Sequence, residues 1–186
     1  RSRDLARWEL IGHCLNRPSQ LDLTSCRASG GIYAPTLRHH DGIFYMTTTN
    51  VTGGGNFIVY ARDAAGPWSE PAWVAQGGID PSLLFDDDGR CFFHSAASWE
   101  GRPCILQCEV NPLTGKMLSS AQPLSYGGGG RFPEAPHLYK LFGKYYLMLA
   151  EGGTEYGHMV TIFRSGSPWG PFEPCPRNPI LTHRGV

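Results

Sequence analysis

Short turn-bounded apolar runs and a threefold internal repeat predict an all-β chain made of four-stranded units, the pattern of a β-propeller. Twenty-four Gly and fifteen Pro among 186 residues make roughly a fifth of the chain, against about 12% in ordinary proteins. Aromatic residues also reach 12%, a mixture that favours short strands joined by many turns. No window holds a sustained helical period, because the apolar runs are β-branched or aromatic and end at Gly, Pro or Asp. Three segments align on a shared Pro (Pro35, Pro81, Pro136), 46 and then 55 residues apart, a spacing that suits a four-stranded blade.

The elements follow in order. Ser2-Arg3-Asp4-Leu5-Ala6-Arg7-Trp8 has the flavour of the second half of a unit, so residues 1–28 are expected to end one blade and connect to the next. The first full blade, 29–78, carries Ile32-Tyr33-Ala34-Pro35-Thr36-Leu37, a turn at Asp41-Gly42 and the returning Phe44-Tyr45-Met46. The second, 79–131, carries Ile79-Asp80-Pro81-Ser82-Leu83-Leu84, Asp88-Gly89 and Cys91-Phe92-Phe93. The third, 132–186, carries Glu134-Ala135-Pro136-His137-Leu138-Tyr139, Gly143 and Tyr145-Tyr146-Leu147-Met148. Each reads as a β-hairpin closed by a D-G or F-G turn, and each is followed by a second half: Phe57 to Glu70, Ile105 to Leu118 and Val160 to Phe172. Three and a half blades fall short of the roughly four to eight that close a ring. The chain is therefore expected to be an incomplete piece, as the missing initiating Met also implies, with end faces that a second chain or a missing segment covers.

Sixteen Lys plus Arg balance sixteen Asp plus Glu, so the basic surplus that neutralises phosphates is absent and nucleic acid is excluded as a partner. No apolar run approaches the roughly 20 residues of a membrane span, and Arg1-Ser2-Arg3-Asp4 lacks the apolar core of a signal peptide. The cytoplasm is favoured over secretion. Six cysteines without a C-x-x-C pair read as reduced thiols.

In a propeller the innermost strands converge on the axis. Their openers here are Tyr33, Asp80 and Glu134, read as equivalent repeat positions, two of them carboxylates. Beside apolar strand residues, burial raises a carboxyl pKa and mutual repulsion separates two of them, which suits acid–base work. The plain alternative is that both acids cap strand ends.

The segments Ser29-Gly30-Gly31-Ile32-Tyr33-Ala34-Pro35, Ile79-Asp80-Pro81-Ser82-Leu83, Glu134-Ala135-Pro136-His137-Leu138-Tyr139 and Ala150-Glu151-Gly152-Gly153-Thr154 resemble family 43 of the glycoside hydrolases. The resemblance implies a five-bladed propeller and inverting hydrolysis by a β-xylosidase or α-L-arabinofuranosidase acting on arabinoxylan or arabinan-derived oligosaccharides. It makes Glu134 the general acid and Asp80 the carboxylate that orients that acid and raises its pKa. Inversion needs a water between acid and base, with carboxyl groups roughly 6.5–9.5 Å apart. The family's general base, in a motif like N-P-x-x-P-G-x-x-P-D-P-S, has no match here, so the chain alone is expected to be inactive. The axial His of G-H-A-S/D-L, which touches a bound ion or water cluster, and a distal substrate Arg are also unmatched. No cofactor or metal is implied. Substrate contacts are assigned to Tyr33, Ile79, His137, Thr154 and His158, with His137 more suited to supporting its hairpin.

Three motifs are set aside. Asp86-Asp87-Asp88-Gly89 lacks the ligand pattern of a calcium loop and reads as a turn. Gly53-Gly54-Gly55 and Gly127 to Gly130 precede no helix and no Lys, so they read as flexible loops at the cavity mouth. Asn50-Val51-Thr52 fits a glycosylation sequon. The rival readings are a carbohydrate-binding propeller that has lost hydrolysis, and a ring completed by a second chain.

Overall fold

The computed structural model describes residues 1–184, and all regular structure among them is β. Thirteen strands run β1 (Ile32–His40), β2 (Ile43–Asn50), β3 (Gly55–Ala61), β4 (Ala72–Val74), β5 (Ile79–Phe85), β6 (Cys91–Trp99), β7 (Arg102–Glu109), β8 (Gln122–Ser125), β9 (Glu134–Leu141), β10 (Lys144–Glu151), β11 (Met159–Ser165), β12 (Glu173–Pro174) and β13 (Leu181–Thr182). They form three antiparallel meanders, β1-β2-β3-β4, β5-β6-β7-β8 and β9-β10-β11-β12, the last with β13 added on β11. The first strands lie together, β5 beside both β1 and β9, which is the convergence of a propeller hub.

Turn chemistry sets the hairpins. Asp41 and Gly42 (φ 47° and 73°) and Phe142 and Gly143 (φ 52° and 71°) occupy two-residue loops between the paired residues His40 and Ile43 and Leu141 and Lys144. Both central residues are left-handed, the twist that matches right-handed strands.

Alternation then distributes side chains between neighbours. On the second sheet Leu83, Phe93, Cys91 and Cys108 face the first sheet and pack with Tyr45, Ile58, Ala72 and Val74. Their sequence neighbours Leu84 and Phe92, with Ile105, face the third sheet and pack with Leu138, Leu147, Leu149 and Phe163. Successive side chains of a strand point to opposite faces, so a sheet covered on both sides shows a continuous buried run, as β6 does from Cys91 to Ala96.

Polar groups between sheets are matched as well. His94 is fully buried; its Nε2 pairs with Gln107 Oε1 (2.7 Å), and Gln107 Nε2 donates to the Pro168 carbonyl of the third sheet (3.1 Å). Burial is the main cause that holds His94 down, to about 4, so the ring is neutral. Asp86, 3% exposed, accepts from Lys140 Nζ (2.5 Å) and from the Tyr145 hydroxyl (2.6 Å). Burial pushes its carboxyl up, but these two donors outweigh it and hold Asp86 below its ordinary value. The Asp-rich stretch is thus a turn, as read from sequence, and also a tie to the third sheet.

Three expectations change. Residues 1–31 contain no strand among the described residues, so Ser2–Trp8 is not a strand of a blade. Leu5, Trp8 and Leu10 are 79%, 68% and 77% exposed, and the segment folds back on itself, with the Glu9 N–H donating to the Arg1 carbonyl (2.8 Å) and the Arg7 N–H to Asp4 Oδ1 (2.8 Å). The glycine runs are packed at part of their length. A Cβ on Gly54 would lie 2.3 Å from the Trp73 ring, and Cβ atoms on Gly127, Gly128 and Gly130 would lie 2.9, 3.3 and 2.8 Å from the Glu151 carboxylate, whereas Gly53, Gly55 and Gly129 face open space. Asn50 is buried, and its Oδ1 accepts from the Thr52 and Gly53 amides (3.1 and 3.2 Å), so the sequon asparagine serves as a turn cap.

Phe93→Ala, which empties a fully buried ring site, is expected to cost about 3–5 kcal/mol in denaturant unfolding. Asp86→Asn is expected to cost about 2 kcal/mol at pH 7 by weakening two charge-assisted hydrogen bonds. Because the folded Asp86 pKa is lowered, its stabilisation is present above the ordinary carboxylate range and disappears as pH falls through the folded value. The difference between wild type and variant therefore closes on acidification, and an undiminished difference at pH 2 would contradict this origin.

Candidate active site

One irregularity recurs at the opening of all three inner strands. Between Tyr33 and Thr36, between Ile79 and Ser82, and between Glu134 and His137, the inner strand advances three residues while its partner advances two. Each is a β-bulge containing the shared Pro, which has no N–H to give the ladder. The residue before it is left-handed in every case: Ala34 (φ 40°), Asp80 (φ 55°) and Ala135 (φ 46°).

This register revises the alignment of the acids. Asp80 is the bulged residue, equivalent to Ala34 and Ala135, whereas Glu134 is equivalent to Tyr33 and Ile79. The two carboxylates come from different positions of the repeat. What joins them is a contact between adjacent bulges, in which the Ala135 N–H donates to Asp80 Oδ2 (3.3 Å). The amide that this bulge frees is met by the side chain that the neighbouring bulge re-aims.

The electrostatics follow. Burial raises the Asp80 pKa, and the Ala135 amide only partly offsets it. Burial is also the leading cause that raises Glu134; the Asp80 charge adds to it, and His158 opposes it. Both carboxyls are thus raised, and the arrangement can deliver a proton from Glu134 to an oxygen at the hub mouth.

The remaining candidates separate into two groups. His158 acts electrostatically on Glu134, and its Nδ1–H donates to the Gly153 carbonyl (2.8 Å). Thr154 is exposed in the same β10–β11 loop. Tyr33 is half-buried, and its hydroxyl donates to the Ser29 carbonyl (2.7 Å), which leaves the ring face for contacts. Ile79 packs against the core between the second and third sheets. His137 pairs through Nδ1 with Arg38 Nη2 (2.9 Å) and lies parallel to Tyr139 (centroids 6.1 Å apart). Burial first, then the Arg38 charge, holds His137 below the usual histidine range.

Arg38 escaped the sequence reading. Its Nε donates to the Leu83 carbonyl (3.0 Å), so one side chain from β1 ties together β5 and β9, and no local motif marks a contact made 99 residues away. Glu151 was noted only as part of a motif; it is fully buried, with both oxygens taken by the Gly128 and Gly130 amides (2.8 Å each). A Gly run before one strand and a Glu at the end of the next was the available signal. Among the described residues, no three His, Cys, Asp or Glu side chains gather as ligands for a cation. A groove of about 300 Å³ lined by Tyr146, Ile162, Arg164 and Glu173 lies on the third sheet and involves none of these acids.

Comparison with known proteins gives a consistent assignment. The family model for glycosyl hydrolases family 43 matches residues 1–185. Non-reducing end alpha-L-arabinofuranosidase BoGH43B of Bacteroides ovatus is 47% identical over 186 residues, covering 98% of this chain and 34% of its own length. A xylosidase/arabinosidase of Butyrivibrio fibrisolvens is 46% identical over 201 residues, covering 100% and 38%. The chain thus spans about a third of the length of these relatives. Among solved structures, a GH43_12 protein retrieved from a capybara gut metagenome superimposes with a TM-score of 0.93 at 39% identity, over 100% of this chain and 38% of that one. The three sheets are blades of a propeller of the five-bladed type, and the chain belongs to glycosyl hydrolases family 43.

Proposed function

We propose that the protein carrying this chain is a glycoside hydrolase that releases terminal α-L-arabinofuranosyl or β-D-xylosyl residues from plant cell-wall glycans with inversion. Glu134 is the general acid that protonates the glycosidic oxygen, and Asp80 orients it and keeps it protonated. The observation that carries this reading is the bulge-to-bulge contact, Ala135 N–H to Asp80 Oδ2, which fixes a negative charge beside a half-buried Glu134. The Asp80 charge adds to the burial that raises Glu134, a coupling that goes beyond bare strand capping. The printed activities of the relatives, alpha-L-arabinofuranosidase and xylosidase/arabinosidase, agree with the pentose substrate class.

In this reading the proton leaves Glu134 as the glycosidic bond breaks, and a water attacks the anomeric carbon from the opposite face. The base that takes the proton of that water comes from residues outside this chain. Tyr33 offers its ring face to the sugar, Thr154 and His158 offer polar contacts at the rim, and Ile79 offers an apolar edge. His137, held by Arg38, supports the hub.

Glu134→Gln in the complete protein is expected to lower kcat about 10²- to 10⁴-fold on xylobiose or an arabino-disaccharide, and less on 4-nitrophenyl pentosides, whose leaving group needs little protonation. Equal losses on both would argue against an acid role, and sugar binding without any wild-type turnover would favour the non-hydrolytic propeller. A general acid works while protonated, so kcat falls as pH rises through its pKa. Asp80→Asn removes a charge that raises Glu134 and is expected to move this alkaline limb to lower pH; an unmoved limb in the kcat profile would contradict the role given to Asp80.

A further inference from the structure

Glu151 ends β10, and its side chain is completely buried. Three donors meet it. Gly128 N–H reaches Oε1 and Gly130 N–H reaches Oε2, each at 2.8 Å, and the Thr161 hydroxyl of β11 donates to Oε1. The next residue continues the grip, since Gly152 N–H donates to the Arg131 carbonyl (2.6 Å).

The glycines are required by this closeness. A Cβ on Gly130 would stand 2.7 Å from Glu151 Cβ and 2.5 Å from Met159 Cε, and one on Gly127 would stand 2.9 Å from Glu151 Oε2. The loop backbone therefore lies directly on the carboxylate, with no room for a side chain between them.

That loop leads straight into the acid. Arg131, Phe132 in a left-handed conformation (φ 52°) and Pro133 are all that separate Gly130 from Glu134. On its other side, Glu134 is register-paired with Ala150, the residue before Glu151. The end of β10 thus holds the Glu134 backbone twice, once through the strand ladder and once through the grip on the incoming loop. A buried carboxylate spent on loop amides, where an apolar residue would fill the same space, is a device for placing that loop.

We infer that Glu151 is a positioning residue for Glu134, acting through the Gly127–Arg131 loop. This rests on the reading of Glu134 as the general acid. Carboxylate oxygens only accept, which suits three donors; a glutamine would turn an N–H₂ group toward one of the loop amides and release that side of the grip.

The test uses the complete protein, with xylobiose and an arabino-disaccharide set against the corresponding 4-nitrophenyl glycosides. Glu151→Gln is expected to lower kcat on the unactivated disaccharides at least about tenfold more than on the aryl glycosides, since a displaced acid fails where protonation is needed. Thr161→Val, which removes one donor at constant volume, and Gly130→Ala, which pushes the loop off from its own side, are expected to move the same ratio in the same direction. These two variants decide the matter if Glu151→Gln does not fold. Glu134→Gln runs in parallel. If it discriminates between the substrate types while the grip variants lower both equally or lower only Tm, the positioning role is wrong and Glu151 merely stabilises the fold. If Glu134→Gln does not discriminate, the acid assignment and the inference fall together.

Discussion

The middle sheet of this chain has two apolar faces, one packed against the first sheet and one against the third. Leu83 and Leu84, or Phe93 and Phe92, are neighbours in sequence and belong to different cores, one shared with the first sheet and one with the third. With roughly 1.5–3 kcal/mol for each large side chain fully buried, this division makes the middle sheet the common wall of the structure. Sheets held face to face in sequence order bring their first strands together, and the functional geometry depends on that convergence. Arg38 and the Asp86–Lys140 pair add directionality to it, since each group finds its partner only when neighbouring sheets sit at the correct height.

The inner strands make a second use of the same constraint. A bulge at each shared Pro frees an amide and places a non-glycine residue in the left-handed region, at a cost of roughly 1–2 kcal/mol per residue. Such strain persists where the surroundings over-determine it. Here the Ala135 amide is met by Asp80 across the sheet boundary, so the irregularity that breaks the ladder also docks one acid beside the other. Burial raises both carboxyls, and the loop that leads into β9 is held by Glu151 through the Gly128 and Gly130 amides.

Much of this was legible in the residues. The Pro-and-turn repeat located the hairpins, the Asp41-Gly42 and Phe142-Gly143 turns have the left-handed geometry they need, and the family motifs singled out Asp80 and Glu134. Aligning the acids as equivalent positions failed because a bulge inserts one residue, and in a period-two structure one residue changes the face and the role of a side chain. The N-terminal segment resembled a half-blade in composition, yet local bonds such as Arg7 N–H to Asp4 Oδ1 fold it back on itself. Glycine runs looked like free loops because sequence shows the missing side chains and not the Trp73 ring or the Glu151 carboxylate that occupies their place.

Sequence alone determined the all-β class, the hairpin repeat, the family and the two acidic residues at its motifs, because these follow from local periodicity, turn stereochemistry and residue identity. Tertiary structure alone decided that Asp80 reaches the amide next to Glu134, that Arg38 joins His137 to Leu83, and that Glu151 grips the loop before the acid. Those contacts join residues 55, 99 and about 20 positions apart. Nothing in the local chain encodes them, since they exist only once two-faced sheets have packed in order and brought their inner strands to a common axis.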